Sequence, residues 1–126
     1  SKKEKNKQEN IEKKASNETQ FSVDLNGEGS SANVVSRSVA RDDSAQLFRA
    51  KIAGNNACAG HSECDAIIMD NAKVRAIPEL EANDLDAELI HEAAIGKIAG
   101  EQLIKLMTLG LSEEEAEEMI ISGFLK

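Results

Sequence analysis

The chain has 126 residues, a formal net charge of −8 and only 2% aromatic residues. That length limits the chain to one ordinary domain. Because aromatic residues are scarce, its core must be built from aliphatic side chains. An acidic chain without Trp or Tyr lacks the positive charge and the stacking rings of nucleic-acid binders, and no apolar run is long enough to cross a membrane. Two cysteines do not make a secreted disulfide framework, so we expect a cytoplasmic protein without nucleic-acid or membrane partners.

Residues 1–20 form a polar segment that contains six Lys, four Glu and one large apolar residue, Ile11. Such a segment cannot bury an apolar face, so it predicts a charged linker or a disordered tail. A basic docking arm is the alternative. The chain also begins with Ser rather than Met, which indicates a piece of something longer.

Residues 21–96 carry short segments in which apolar and polar residues alternate with the period of a half-buried strand. Turn signals such as Asn26–Ser30 and Gly54–Asn56 separate them, and helical periodicity is absent. This spacing fits a sandwich, a barrel or one end of a β-solenoid, and small residues at the turns favour stacked solenoid coils. The strand-like segments are Phe21–Leu25, Val34–Val39, Leu47–Ile52, Cys64–Met69 and Val74–Ile77.

Residues 97–126 predict two amphipathic helices joined by a tight turn, an αα-hairpin. The first runs from Gly100 to Leu109, and Gly110 supplies a left-handed stop. The second opens at Ser112, which can form a capping box with Glu115. Two short helices cannot bury their apolar stripes alone, so they must pack on the β part or on a partner.

The side chains with metal or sulfur chemistry lie at the two ends of residues 58–92. Cys58, His61 and Cys64 have a spacing that suggests zinc, but structural zinc sites usually bring four ligands as two separated pairs. In an extended strand the two cysteines would share one face and His61 would point to the other. On the residues alone, the simplest interpretation of Cys64 is a small buried hydrophobe in a strand.

His91 and Glu92 follow Leu89 at the end of a predicted strand. In an extended conformation their side chains face opposite sides, so the plain interpretation is one buried and one solvated residue.

An acidic cluster precedes His91 and is most simply a solvated edge; a pair of its carboxylates could also serve glycoside chemistry on a β-helix. The cluster consists of Glu79, Glu81, Asp84, Asp86 and Glu88.

Several stretches of the chain, in order and at consistent separation over roughly residues 32–126, resemble a known family. Taken together they resemble the SufB/SufD proteins of iron–sulfur cluster assembly. The matching stretches are GHSECDA (60–66), AIPELE (76–81), HEAAIGKI (91–98), EQL (101–103), GLSEEEA (110–116) and MIISGF (119–124).

The resemblance implies the end of a right-handed parallel β-helix over residues 21–96, followed by a small helical subdomain over 97–126. It implies a scaffold that is not an enzyme, on which a transient iron–sulfur cluster is assembled and which two subunits could share. Cys64 matches the cysteine implicated in sulfur acceptance and cluster binding. His91 matches a histidine at the subunit interface, and Glu92 matches the acid beside it. Thiolate, imidazole and carboxylate can all ligate iron.

The resemblance also implies partners: an ABC-type ATPase subunit docked on the C-terminal helices, a SufB/SufD-type paralogue or second copy forming a dimer, and a cysteine desulfurase or other sulfur donor. Two departures stand out. Ile90 replaces an acid that several cluster-bearing members carry, and Cys58 matches no family role. A β-solenoid interaction module without cluster binding is the alternative function.

Overall fold

The computed structural model of the protein describes residues 2–11 and 16–126, with side chains from residue 16 onward. Seven strands are followed by two helices in these residues. They are β1 (Lys2–Ile11), β2 (Ser16–Leu25), β3 (Ser30–Ala40), β4 (Ala45–Gly54), β5 (Cys58–Ile68), β6 (Lys73–Ala82), β7 (Ala87–Gly96), α1 (Gly100–Thr108) and α2 (Glu113–Phe124).

Successive strands alternate between two parallel sheets, one ordered β1-β3-β5-β7 and the other β2-β4-β6. Two strands and their corners therefore make one coil. Ser30 pairs with Cys58 and Cys58 pairs with Ala87, so a coil takes 28 or 29 residues. This arrangement confirms the predicted parallel β-solenoid, and each of the five strand-like segments falls largely within a strand.

The described residues within 1–20 lie in strands. Strand β1 pairs with β3 from Lys2 to Ile11, and β2 begins at Ser16. Parallel stacking is made by backbone hydrogen bonds, which a polar sequence supplies as well as an apolar one. Residues 1 and 12–15 lie outside the described part. As a division into domains, the boundaries at 20/21 and 96/97 stay a prediction.

The core lies between the two sheets and is filled by the alternate residues of each strand that face inward. In β3 the pattern of burial alternates along the strand, as a period of two requires. One buried cluster centres on Ile52, which has no exposed surface, and a second contains Phe48 and Cys64. Gly60 allows this close packing, because a Cβ there would lie 2.8 Å from Leu89 Cδ2 and 3.0 Å from Ile52 Cγ2.

Side-chain ladders hold the coil corners in register. At one corner Asn83 Nδ2 donates to Asn55 Oδ1 at 2.7 Å, and Asn55 Nδ2 donates to Asn26 Oδ1 at 2.7 Å. At the opposite corner Asp42 and Asp70 take positive φ angles of 56° and 57°, which Asp tolerates better than most residues. The Asp42 amide donates to Asp70 Oδ2 at 3.0 Å.

The helices form the predicted αα-hairpin. Gly110 has a φ of 98°, and Ser112 and Glu115 form the capping box that their spacing predicts. Ala116 and Ile121 of α2 are buried, and an ion pair between Arg41 Nη1 and Glu118 Oε1 at 2.9 Å joins α2 to the solenoid. Neither helix is long and apolar enough to cross a membrane.

Replacing Ile52 by Ala should lower the free energy of unfolding by about 2–5 kcal/mol, because the side chain is fully buried between the sheets and its loss leaves a cavity. Chemical denaturation measures this change. The same substitution at Ile104, which is 62% exposed on α1, should cost less than about 1 kcal/mol. Similar losses at both positions would contradict the assigned core.

Candidate functional site

Strands β5 and β7 place the candidate side chains on two opposite faces. Cα partners in a parallel pair present their side chains to the same side of the sheet. Cys64 pairs with Ala93, and Ser62 pairs with His91, so these four residues share the inner face. Glu63 pairs with Glu92 on the outer face. Cys64 and His91 are therefore diagonal neighbours on adjacent strands.

Cys64 lies inside the solenoid with 1% of its surface exposed. It packs with Phe48 and Ala50, and Ala76 closes the cluster. Burial raises the pKa of its thiol to about 11, and the negative charge of Asp65 adds to the rise. At neutral pH the folded chain therefore holds Cys64 as a protonated thiol, which is a poor nucleophile.

His91 lies half-buried on the inner face of β7, which is the edge strand of its sheet. Burial lowers the pKa of its imidazole; a positive charge on His61 lowers it further, and Glu92 acts in the opposite direction. The ring is thus held neutral, which is the form that binds metal ions. Its Nδ1 and the Oγ of Ser62 are buried without a hydrogen-bond partner among the described residues.

The outer face brings together a group that includes two residues absent from the predicted site. His61 Nε2 lies 3.7 Å from Glu92 Oε1, and Glu63 lies beside them. One ligand atom from each of the three residues lies within 4.8 Å of the other two. The sequence held a signal for this group, because Glu63 and Glu92 are separated by one coil of the solenoid.

The predicted site residues are thus divided between the faces: Cys64 and His91 lie inside, and Glu92 lies outside. The zinc alternative for Cys58, His61 and Cys64 is not supported, since both cysteines are buried on the inner face and His61 lies on the outer one.

Two acids of the edge cluster have a cationic partner. Lys51 Nζ lies 3.6 Å from Glu79 Oε2 and 3.5 Å from Glu81 Oε1. This arrangement is that of a solvated ion-pair network, and it does not favour a pair of glycosidase carboxylates.

The fold and the inner-face thiol and imidazole define a class: a parallel β-solenoid with a terminal helical pair and side chains suited to sulfur and iron. Comparison with known families agrees with that class. Residues 6–124 match the family described as "SUF system FeS cluster assembly, SufBD core domain". The chain belongs to the SufBD family, which confirms the resemblance seen in its motifs.

Curated relatives support the same membership. The chain is 46% identical over 105 residues to an "Iron-sulfur cluster assembly SufBD family protein" of Methanothermobacter thermautotrophicus, covering 82% of this chain and 26% of the relative. Similar proteins of Pyrococcus horikoshii (43% over 104 residues, 81% and 23%) and Methanocaldococcus jannaschii (41% over 104 residues, 82% and 33%) carry the same family name. The chain spans about a quarter to a third of the length of these relatives.

The raised pKa of the Cys64 thiol predicts that the folded chain loses stability at alkaline pH. Folding raises the pKa of its thiol from 9.0 to about 11, so between these values the unfolded chain releases a proton that the folded chain keeps. The stability conferred by the protonated, buried thiol is fully present below pH 9 and is lost as the pH rises towards about 11.

Denaturant midpoints measured at about pH 8 and about pH 10.5 test this dependence. The fall between the two should be larger for the wild-type chain than for Cys64→Ser, whose hydroxyl at this position does not titrate in this range. Equal falls would contradict a buried, protonated Cys64.

Proposed function

We propose that the chain is part of a Suf-type scaffold that assembles iron–sulfur clusters and has no turnover of its own. Membership of the SufBD family supports the general role. The observation that carries the finer proposal is the placement of Cys64 and His91 on one inner face, in adjacent strands next to the end of the solenoid. A sulfur ligand and a neutral imidazole at one position are suited to iron.

In this proposal Cys64 accepts sulfur from a cysteine desulfurase or a similar donor. Its thiolate attacks the terminal sulfur of a donor persulfide, a new S–S bond forms at Cys64, and the donor leaves as a thiolate, so no oxidant is needed. The raised pKa of the thiol means that the closed solenoid keeps Cys64 unreactive. Sulfur acceptance therefore requires a donor or partner that opens the coil and removes the proton.

A second subunit supplies the ligands that one chain lacks. Cys64 and His91 are too few for a cluster that is usually held by four thiolates. Glu92 follows His91 on the edge strand β7 but faces the opposite side of the sheet, so it could join them only if that edge rearranges. Strand β7 presents an unpaired backbone edge, and Ile95 on it is 39% exposed. Unpaired edges favour pairing with another chain, here a SufB/SufD-type paralogue or a second copy.

Anaerobic reconstitution with iron and sulfide tests the role of Cys64. The wild-type chain should bind iron and develop visible absorption, whereas Cys64→Ser should lose most of both, because its hydroxyl is a poor cluster ligand. The matched control is Cys58→Ser, which alters the other buried cysteine of β5 and should behave like the wild type. If Cys64→Ser kept its bound iron, or if both variants lost it equally, the assignment to Cys64 would fail.

The C-terminal helices are the proposed docking surface for an ABC-type ATPase subunit. Several of their apolar side chains are unusually exposed, which is typical of a surface that binds another protein. The exposed residues are Ile104, Met107, Leu109 and Met119. Met119 also lines a groove whose other apolar residues include Ile67, Ile98, Leu106, Ile120 and Phe124 and whose polar residues are Lys97, Gln102 and Lys105.

Ile104→Asp should weaken binding of that ATPase subunit by more than about tenfold, because a charge would be placed in the centre of an apolar contact. Titration calorimetry with the purified ATPase subunit measures the affinity. Leu85→Asp is the matched control, since Leu85 is fully exposed at a solenoid corner and should bind as the wild type does. Equal affinity for Ile104→Asp and the wild type would place the docking surface elsewhere.

The alternative function is a β-solenoid interaction module that binds the ATPase but no cluster. The exposed apolar residues of the helices favour it as much as they favour the scaffold. Docking that depends on Ile104, together with failure of the wild-type chain to bind iron and sulfide, would support the module over the scaffold.

A further inference from the structure

We propose that His61, Glu63 and Glu92 bind one divalent transition-metal ion on the outer face of β5 and β7. Three potential ligand atoms, one from each residue, lie within 4.8 Å of one another. The site is separated from Cys64 and His91 by the sheet itself and uses no sulfur ligand. It therefore shares no ligand with the inner pair of Cys64 and His91.

The two carboxylates of the proposed site lie opposite each other and repel. Glu63 and Glu92 are direct cross-strand partners, and like charges in that position destabilise a sheet. Among the side chains of residues 16–126, no Lys or Arg forms an ion pair with either residue, and the partner of Glu92 is His61. A metal ion bound between the carboxylates would attract both of them and so offset their mutual repulsion.

His61 is oriented as a metal ligand would be. Its Nδ1 lies 2.8 Å from Asn33 Oδ1, the side chain directly below it in the stack. An amide oxygen only accepts hydrogen bonds, so the neutral tautomer that donates from Nδ1 to Asn33 leaves the lone pair on Nε2. That lone pair lies on the side of Glu92. An oxygen partner that fixes the tautomer and the ring is the usual outer shell of a metal-binding histidine.

The distances suit a single ion. Two ligands at about 2.1 Å from a tetrahedral ion lie about 3.4 Å apart. His61 Nε2 and Glu92 Oε1 are 3.7 Å apart, close to that separation, and a ligand atom of Glu63 lies within 4.8 Å of both residues' ligand atoms. One imidazole with two carboxylates favours Zn²⁺, Fe²⁺ or Co²⁺ over Mg²⁺ and Ca²⁺, which prefer oxygen ligands alone.

Calorimetric titration with Zn²⁺ on the whole chain tests the site. The wild type should bind one Zn²⁺, and Glu63→Gln should weaken that binding by at least about 100-fold. Glu88→Gln is the matched control, because Glu88 is an exposed outer-face acid of the same strand as Glu92 but four residues away; its affinity should match that of the wild type. Asn33→Ala removes no ligand and should weaken binding about 10- to 100-fold by freeing the ring.

Two comparisons separate this site from the cluster proposal. Cys64→Ser should bind Zn²⁺ as the wild type does, and Glu63→Gln should still bind iron and sulfide in reconstitution. Without metal, Glu63→Gln should unfold at the same denaturant midpoint as the wild type or a higher one, because the repulsion is gone. The proposal is wrong if the wild type binds no Zn²⁺, if Glu63→Gln binds it equally well, or if Cys64→Ser alone abolishes binding.

Discussion

Parallel stacking in register is the constraint on which the rest of this structure depends. From Cys58 to Ile67, each residue of β5 lies directly between its counterparts in β3 and β7, so a residue that faces inward in one coil has a partner that faces inward in the next. The corners enforce that register through the asparagine ladder of Asn26, Asn55 and Asn83. A slip of one residue would turn Cys64 outward and bury the charge of Glu63.

The same register gives the sheet two chemically different sides. Inside, burial keeps Cys64 protonated and His91 neutral, so neither carries a charge that the core would have to accommodate. Outside, two carboxylates and an imidazole gather where solvent and ions reach them. The thiol of Cys64 is therefore shielded from solvent, whereas the outer group is at least partly exposed, and the sheet separates the two.

Much of the fold could be predicted from the sequence because the relevant signals are local. Period-two alternation marks the strands, and Gly110 with the Ser112–Glu115 box marks the boundary between the helices. The polar residues of β1 carry no such signal, since their strand depends on backbone pairing with β3. His61 and Glu63 were missed as partners of Glu92 for a related reason: their proximity depends on the length of a coil, which alternation within one strand does not reveal.

The closed solenoid keeps Cys64 buried and protonated, so the thiol should react only when the structure opens, and its rate of alkylation tests this. Native protein at neutral pH is treated with iodoacetamide, and labelling of Cys64 is followed by peptide mass spectrometry beside a sample in denaturant. Labelling should be at least about 100-fold slower in the folded chain, because the thiol is buried and protonated and reacts only when the structure opens. Equal rates in the two samples would show that Cys64 lies at the surface, so that it could not be a thiol protected by the solenoid.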